Sequence, residues 1–284
     1  MCRLLAGVAW GGEGLRLLAG LAGLLARAAE RDPLLARATG GRRWSHCHGY
    51  GILLAARRGA SWRVYYERFD AWAPGLPEGG VCRANLEALK AAVERLPRLL
   101  EGAREALLVL HARLASPGEP RGTLNAHPFR VEAHTQAGPV EVYLAHNGSV
   151  EKEPLARLHG LDPRAYTDTH ILAIHTAARL SEGRSIPEAI SEVEERGLVK
   201  TALDLAVAIL HPTGPPELYV NGYISPELRE DPAKLEYYKP ILLEASQLRA
   251  YASTTIAQLA TSQGLPLEAH TLNGTQKLEP AIRQ

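Results

Sequence analysis

Strand-like segments outnumber helical ones along this chain, and helices do not alternate regularly with them. A doubly wound parallel sheet needs a helical crossover between strands, so the pattern favours an α+β fold with largely antiparallel sheets. Residues 4–10 read as a short buried strand, followed by a Gly turn and an amphipathic helix over 15–30 that ends before Pro33. Segments 49–56, 62–68 and 107–113 read as strands. Between them, 84–100 carries Leu86, Leu89, Ala92, Val93 and Leu96 at helical spacing, with Pro97 expected to kink or end the helix. A strand over 140–145 is expected to stop at Asn147-Gly148, the strongest dipeptide turn signal present. Helices follow over 167–180 and 185–196, and strand-like pieces over 203–210, 217–224, 242–253 and 267–272. No repeat, linker or like-charge block marks a boundary, so 1–284 reads as a single domain.

The 32 basic and 31 acidic side chains leave a formal charge of +1, and no basic run carries interleaved aromatics, so nucleic acid is not an expected partner. The longest uncharged stretch of the Leu/Ala-rich opening, 17–26, falls well short of the roughly 20 apolar residues that a bilayer span needs. Glu13 and Arg16 interrupt what would otherwise resemble a signal peptide. No membrane association and a cytoplasmic location are expected. Cys2, Cys47 and Cys82 are odd in number and contain no CxxC pair, so neither a disulfide framework nor a zinc ribbon is indicated, and a reducing compartment is expected. Neither GxGxxG nor GxxxxGK[ST] occurs, leaving dinucleotides and ATP without a signature and no cofactor implied.

The residue that could carry chemistry most directly is Cys2. Removal of the initiator Met would place a thiol and a free α-amine on one residue. In model compounds an α-amine titrates near ~8 and a thiol near ~8.5, so the amine can take the thiol proton with little energetic mismatch. No separate His is then required. Four clusters follow in order: His111-Ala112-Arg113-Leu114-Ala115-Ser116 at a strand end, Asn125-Ala126-His127-Pro128-Phe129, His146-Asn147-Gly148 and Thr167-Asp168-Thr169.

With Met1-Cys2-Arg3-Leu4-Leu5, these clusters resemble the class II glutamine amidotransferases, whose N-terminal nucleophile is followed by an HxRxA strand end, an NxHP loop, a HNG turn and a TD[TS] helix start. The resemblance covers roughly residues 2–180 and extends more diffusely through Ser253-Thr254 and Leu272-Asn273-Gly274. It implies an Ntn-hydrolase fold, with two antiparallel sheets sandwiched between helical layers in the order αββα. It also implies that Cys2 attacks the side-chain amide of L-glutamine, giving a γ-glutamyl thioester and ammonia. The Asn147 side-chain amide and the Gly148 N–H would hold the developing oxyanion, a type of donor pair worth on the order of 10²-fold or more per donor. Arg113 would grip the substrate α-carboxylate, Asp168 the α-ammonium, and Ser116 would be a further substrate contact. A guanidinium suits the carboxylate because its planar fork bonds it bidentately. His127, in the NxHP loop, is counted with the substrate-binding residues, and the polar tips of His127 and His146 are expected to order loops beside the site. His48 stands where relatives often carry Asp, and Ser116-Pro117-Gly118 departs from the usual Thr-His-Gly.

The residue types leave other readings open. Asn147-Gly148 also fits a hairpin turn, Arg113 a surface position, and Asp168 the N-terminus of a helix. The same fold and nucleophile could hydrolyse another γ-glutamyl amide, because the matching residues address only the glutamyl half. The His46-x-His48 pair, with His111, His127 and Asp168, could instead serve a metal-dependent hydrolase, while the class II reading needs no metal. A non-enzymatic scaffold would leave the whole set without a role. Since the motifs consume most of the chain, the protein is expected either to pair with a separate ammonia-accepting synthase subunit or simply to hydrolyse its substrate.

Overall fold

The computed structural model describes residues 1–280. Its first strand, β1 (Arg3–Trp10), is buried almost throughout, which is why its sequence shows no polar alternation. Next comes α1 (Gly11–Glu30), which buries a stripe including Leu15, Leu18, Leu21, Leu25 and Ala29. The short α2 (Pro33–Ala38) starts at Asp32, whose carboxylate accepts from the Leu34 and Leu35 amides. After β2 (Tyr50–Arg58) and β3 (Ser61–Phe69), the helical stretch divides into α3 (Glu78–Glu94) and α4 (Leu96–Leu100). Pro97 lies in the first turn of α4, where a missing N–H leaves no bond unmade. The chain continues through β4 (Glu105–Ala112), β5 (Phe129–Thr135), β6 (Gly138–Val150), α5 (Lys152–Leu158), α6 (Asp168–Ser181) and α7 (Ile186–Glu195). It then forms β7 (Val199–Leu210), β8 (Glu217–Gly222), α8 (Pro232–Tyr238), β9 (Pro240–Ala245), β10 (Leu248–Ser253), α9 (Thr254–Ser262), β11 (Glu268–Thr271) and β12 (Gly274–Leu278).

The strands make two antiparallel sheets, one in the order β11-β9-β10-β1-β4-β2-β3 and the other in the order β12-β8-β7-β6-β5, so the chain is α+β. Alternation along β1 sorts the core into layers. Leu5 and Ala9 pack with Leu18 of α1, Leu89 of α3 and Ile256 of α9, while Leu4, Ala6 and Val8 meet Ala145, Ala206 and Val220 of the second sheet. On its far side the second sheet buries Val142, Leu144 and Leu205 against Ile171, Leu172 and Ile190 of α6 and α7. Each such Leu or Ile contributes on the order of 1.5–3 kcal/mol when fully buried.

Two expectations are corrected. The strand read over 140–145 does not stop at Asn147-Gly148; β6 runs through both residues and pairs them with Asp204 and Leu203 of β7 before a bulge between Gly148 and Val150. Glycine is needed there because a Cβ would collide with the Ala202 carbonyl oxygen of the neighbouring strand. Second, Cys47 and Cys82 are joined as a disulfide, with Cα atoms 4.8 Å apart, although no disulfide was indicated by the cysteine count. The segment before β2 passes the first turn of α3, a proximity that a sequence separation of 35 hides. Among the described residues no helix is long and apolar enough to cross a membrane.

Candidate active site

The two-residue period of the strands places the candidate groups. Leu4, Ala6 and Val8 of β1 face the second sheet, so Cys2, two residues earlier, points into the same layer. On β4, Leu107 and Val109 face that layer, and Arg113 continues their side beyond the strand end. On β6 the corresponding series is Tyr143, Ala145 and Asn147. The start of β1, the end of β4 and the bulged part of β6 therefore bring Cys2, Arg113 and Asn147 together between the sheets. All three are buried.

The Cys2 backbone N–H donates to Asn147 Oδ1 at 2.8 Å. Oδ1 is thereby committed, and the other end of the same amide, Nδ2, is buried without a partner among the described residues. An unpaired buried donor is disfavoured by roughly 1–3 kcal/mol unless something accepts from it. Cys2 Sγ lies 3.9 Å from the Leu114 carbonyl oxygen. Gly148, next to Asn147, lines a cavity of about 980 Å³ whose wall also includes Met1, Leu114, Ser116 and Tyr238.

Arg113 is anchored through its backbone, its N–H donating to Gly49 O at 2.9 Å and its carbonyl accepting from His48 N–H at 2.8 Å. Its guanidinium makes no ion pair among the described residues, and Nη1 is buried without a partner. Burial pulls the guanidinium below its ordinary value, a cost that a bound anion would relieve.

The remaining candidates divide. Ser116 lies on the cavity wall. Asp168 stands at the start of α6, where Oδ1 accepts from Thr169 N–H at 2.7 Å and Oδ2 from Val150 N–H at 3.2 Å, while Thr167 caps the helix through its hydroxyl. Its carboxylate thus orders the backbone just after the bulge that carries Gly148. His127 is buried with its ring 4.2 Å from that of His111, which in turn lies 3.2 Å, through Nε2, from the His146 carbonyl oxygen. His146 faces the other way, towards Thr169 Oγ1 at 3.3 Å and Ala202 O at 3.0 Å. Burial depresses all three imidazoles, His111 to about 3, so they are neutral near neutrality.

His46 and His48 also go to separate places. His46 Nε2 contacts Asp32 Oδ2 at 2.8 Å, whereas His48 Nδ1 accepts from Ala115 N–H at 3.0 Å and its Nε2 lies 2.9 Å from Glu78 Oε1. Burial, with Arg121 nearby, pulls His48 down to about 4. Among the described residues no group of three or more His, Cys, Asp or Glu side chains gathers as metal ligands would.

Sequence reasoning missed the groups that hold the start of β1. Arg3, fully buried, donates through Nε to Asp32 Oδ2 at 2.5 Å, through Nη2 to Thr255 Oγ1 at 2.7 Å and through Nη1 to Tyr237 O at 3.2 Å. Its guanidinium lies 3.9 Å above the Tyr237 ring, and the Tyr237 hydroxyl donates to the Cys2 carbonyl at 2.9 Å. Burial works against the Asp32 carboxylate, but Arg3 and His46 outweigh it and hold its pKa well below the usual carboxylate range. Asp204, opposite Asn147 on β7, is the reverse: burial pushes its carboxyl well above that range. The one available signal was an Arg opening an otherwise apolar strand, which needs a buried counter-charge. Among known proteins, the chain matches no family model and no curated sequence.

Proposed function

We propose that this chain is an amidohydrolase of the class II glutamine amidotransferase kind, built on an Ntn-hydrolase fold, that hydrolyses the side-chain amide of L-glutamine or a related γ-glutamyl amide. The observation that carries the reading is the two-ended use of Asn147: Oδ1 is taken by the Cys2 nitrogen, and Nδ2 is left buried within the same layer with no partner among the described residues. With Met1 removed, the Cys2 nitrogen becomes an α-amine held by Asn147 Oδ1 beside its own thiol. The amine accepts the thiol proton, sulfur adds to the γ-carbonyl carbon, and Asn147 Nδ2 with the Gly148 N–H takes the negative oxygen. Collapse breaks the C–N bond, the α-ammonium returns the proton to the leaving nitrogen, and water cleaves the thioester to glutamate. Arg113 supplies a buried cation, without an ion pair among the described residues, for the substrate α-carboxylate. Asp168, whose carboxylate is engaged by backbone amides, would reach the α-ammonium through whatever lone pairs those bonds leave open.

Intact-mass measurement before and after a diazo-ketone analogue of glutamine, with Cys2→Ala as control, tests this directly. Loss of Met1 and a single adduct confined to Cys2 is the expected result. A processed chain that takes no adduct and releases no glutamate from any γ-glutamyl amide would overturn the proposal. Copurification with an ATP-using protein would identify an ammonia-accepting synthase subunit, whereas full activity alone would mark a free-standing hydrolase.

A further inference from the structure

The cavity above the candidate nucleophile is far larger than one amino acid requires. At about 980 Å³ it stands at the upper end of the ~300–1,000 Å³ typical of small-molecule sites. Its charged walls are uneven in an informative way. Arg121 is paired with Asp70 at 3.3 Å and Glu78 at 3.3 Å, and Glu119 with Lys152 at 2.8 Å, so these charges are internally neutralised. Arg42 and Arg43 also line the cavity, from the turn after α2, and neither makes an ion pair among the described residues. Arg42 donates through Nε to Thr39 O at 2.9 Å, which orients its fork, and neither terminal nitrogen is bonded among the described residues. Among the described residues, three guanidiniums here thus lack a carboxylate: Arg113 buried beside Cys2 and Asn147, and Arg42 and Arg43 exposed on the wall. One glutamyl α-carboxylate accounts for the first and leaves the other two unused.

We infer that the amine half of the substrate carries its own anionic group, a carboxylate or a phosphate, which Arg42 and Arg43 hold while the γ-glutamyl half occupies the floor. The inference rests on the γ-glutamyl reading above and deepens it: the substrate is a γ-glutamyl conjugate of an anionic amine, and free glutamine, whose leaving group is uncharged ammonia, is the poorer one. The chemistry is unchanged. A C–S bond forms at Cys2 as the C–N bond breaks, the amine leaves with the returned proton and its anionic group, and water completes the hydrolysis. Guanidinium forks accept carboxylate and phosphate alike, so the amine's class is set by charge.

The test compares kcat/KM for γ-glutamylglycine, the γ-glutamyl conjugate of aminomethylphosphonate, γ-glutamylmethylamide and glutamine, using protein whose mass shows Cys2 at its N-terminus. At low ionic strength at least one anionic conjugate should exceed the methylamide by about tenfold or more, and the carboxylate and phosphonate arms tell the two sources apart. In Arg42→Ala/Arg43→Ala, both positions being exposed, that ratio should fall towards one, and salt should erode it in the unsubstituted protein. Equal turnover of methylamide and both anionic conjugates would overturn the inference while leaving the γ-glutamyl reading standing. So would a ratio that survives the double substitution, or a double variant that loses only a copurifying acidic protein. No turnover of any of the four would overturn both together.

Discussion

Truncating Asp32 to Ala should be the most damaging single change outside the candidate nucleophile Cys2. Its carboxylate accepts from Arg3 Nε at 2.5 Å, His46 Nε2 at 2.8 Å and Thr255 Oγ1 at 2.8 Å, and also caps α2 through the Leu34 and Leu35 amides. Arg3 and Asp32 are both fully buried, so Asp32→Ala strands a guanidinium with neutral partners and no counter-charge. Removing one member of a buried pair costs about 3–5 kcal/mol, and losing the cap about 1 kcal/mol more. At roughly 2–4 °C per kcal/mol for a chain of this size, Tm should drop by about 10–20 °C. Activity should fall as well, because Arg3 packs on Tyr237, whose hydroxyl holds the Cys2 carbonyl. Calorimetry on Asp32→Ala and on the apolar pair Arg3→Met/Asp32→Leu reads the effect. The pair should recover more than half of the loss, since it removes the orphaned charge together with its partner. A single variant that melts within about 2 °C of the parent would refute the reasoning.

Asn147→Ala should lower kcat for a γ-glutamyl substrate by about 10²–10³-fold in steady-state assays, the usual effect of deleting one oxyanion donor. Asn147→Asp, which keeps an acceptor for the Cys2 nitrogen but faces the oxyanion with a negative charge, should be no better. Burial depresses His46, His48, His111, His127 and His146, so protons bind the unfolded chain first once pH drops below the ordinary value near ~6.5. Stability should therefore be flat above that point and fall as pH declines towards the folded values of about 4 for His48 and about 3 for His111. Asp32 adds its own loss only below its unfolded value near ~4; a Tm unchanged between neutral and mildly acidic pH would contradict the histidine assignment. Finally, reduction of Cys47–Cys82, or Cys47→Ser with Cys82→Ser, should cost about 3–4 kcal/mol for a loop closed over a separation of 35, read as a lower Tm with reductant present.

Much of the fold could be read locally. The apolar run of β1, the Leu/Ala stripe of α1 and the division at Pro97 follow from periodicity and proline chemistry alone. What failed was the weight given to Asn147-Gly148. That dipeptide fits a tight turn well, but pairing with Asp204 and Leu203 of β7 carries β6 extended through it, and crowding by Ala202 O gives the glycine another purpose. At the candidate site, Cys2, Arg113 and Asn147 could be named beforehand because each sits in a short ordered motif. Asp32, Tyr237 and Thr255 could not, because they reach Arg3 from positions far along the chain. The disulfide was hidden for the same reason.

The two ends of the Asn147 amide face different tasks in the proposed mechanism. In the proposed mechanism one amide would restrain Cys2 by its oxygen and offer its nitrogen to the reacting carbonyl, so no substitution there could adjust one duty without disturbing the other. A mid-strand position, tied to β7 on one side, also leaves no slack for an insertion. The floor is in effect frozen, and diversification must come from elements that touch neither duty. Those are the turn carrying Arg42 and Arg43 and the segment from Pro117 to Arg121, irregular stretches on the cavity wall that could lengthen, shorten or change charge while the proposed chemistry below them stays as it is.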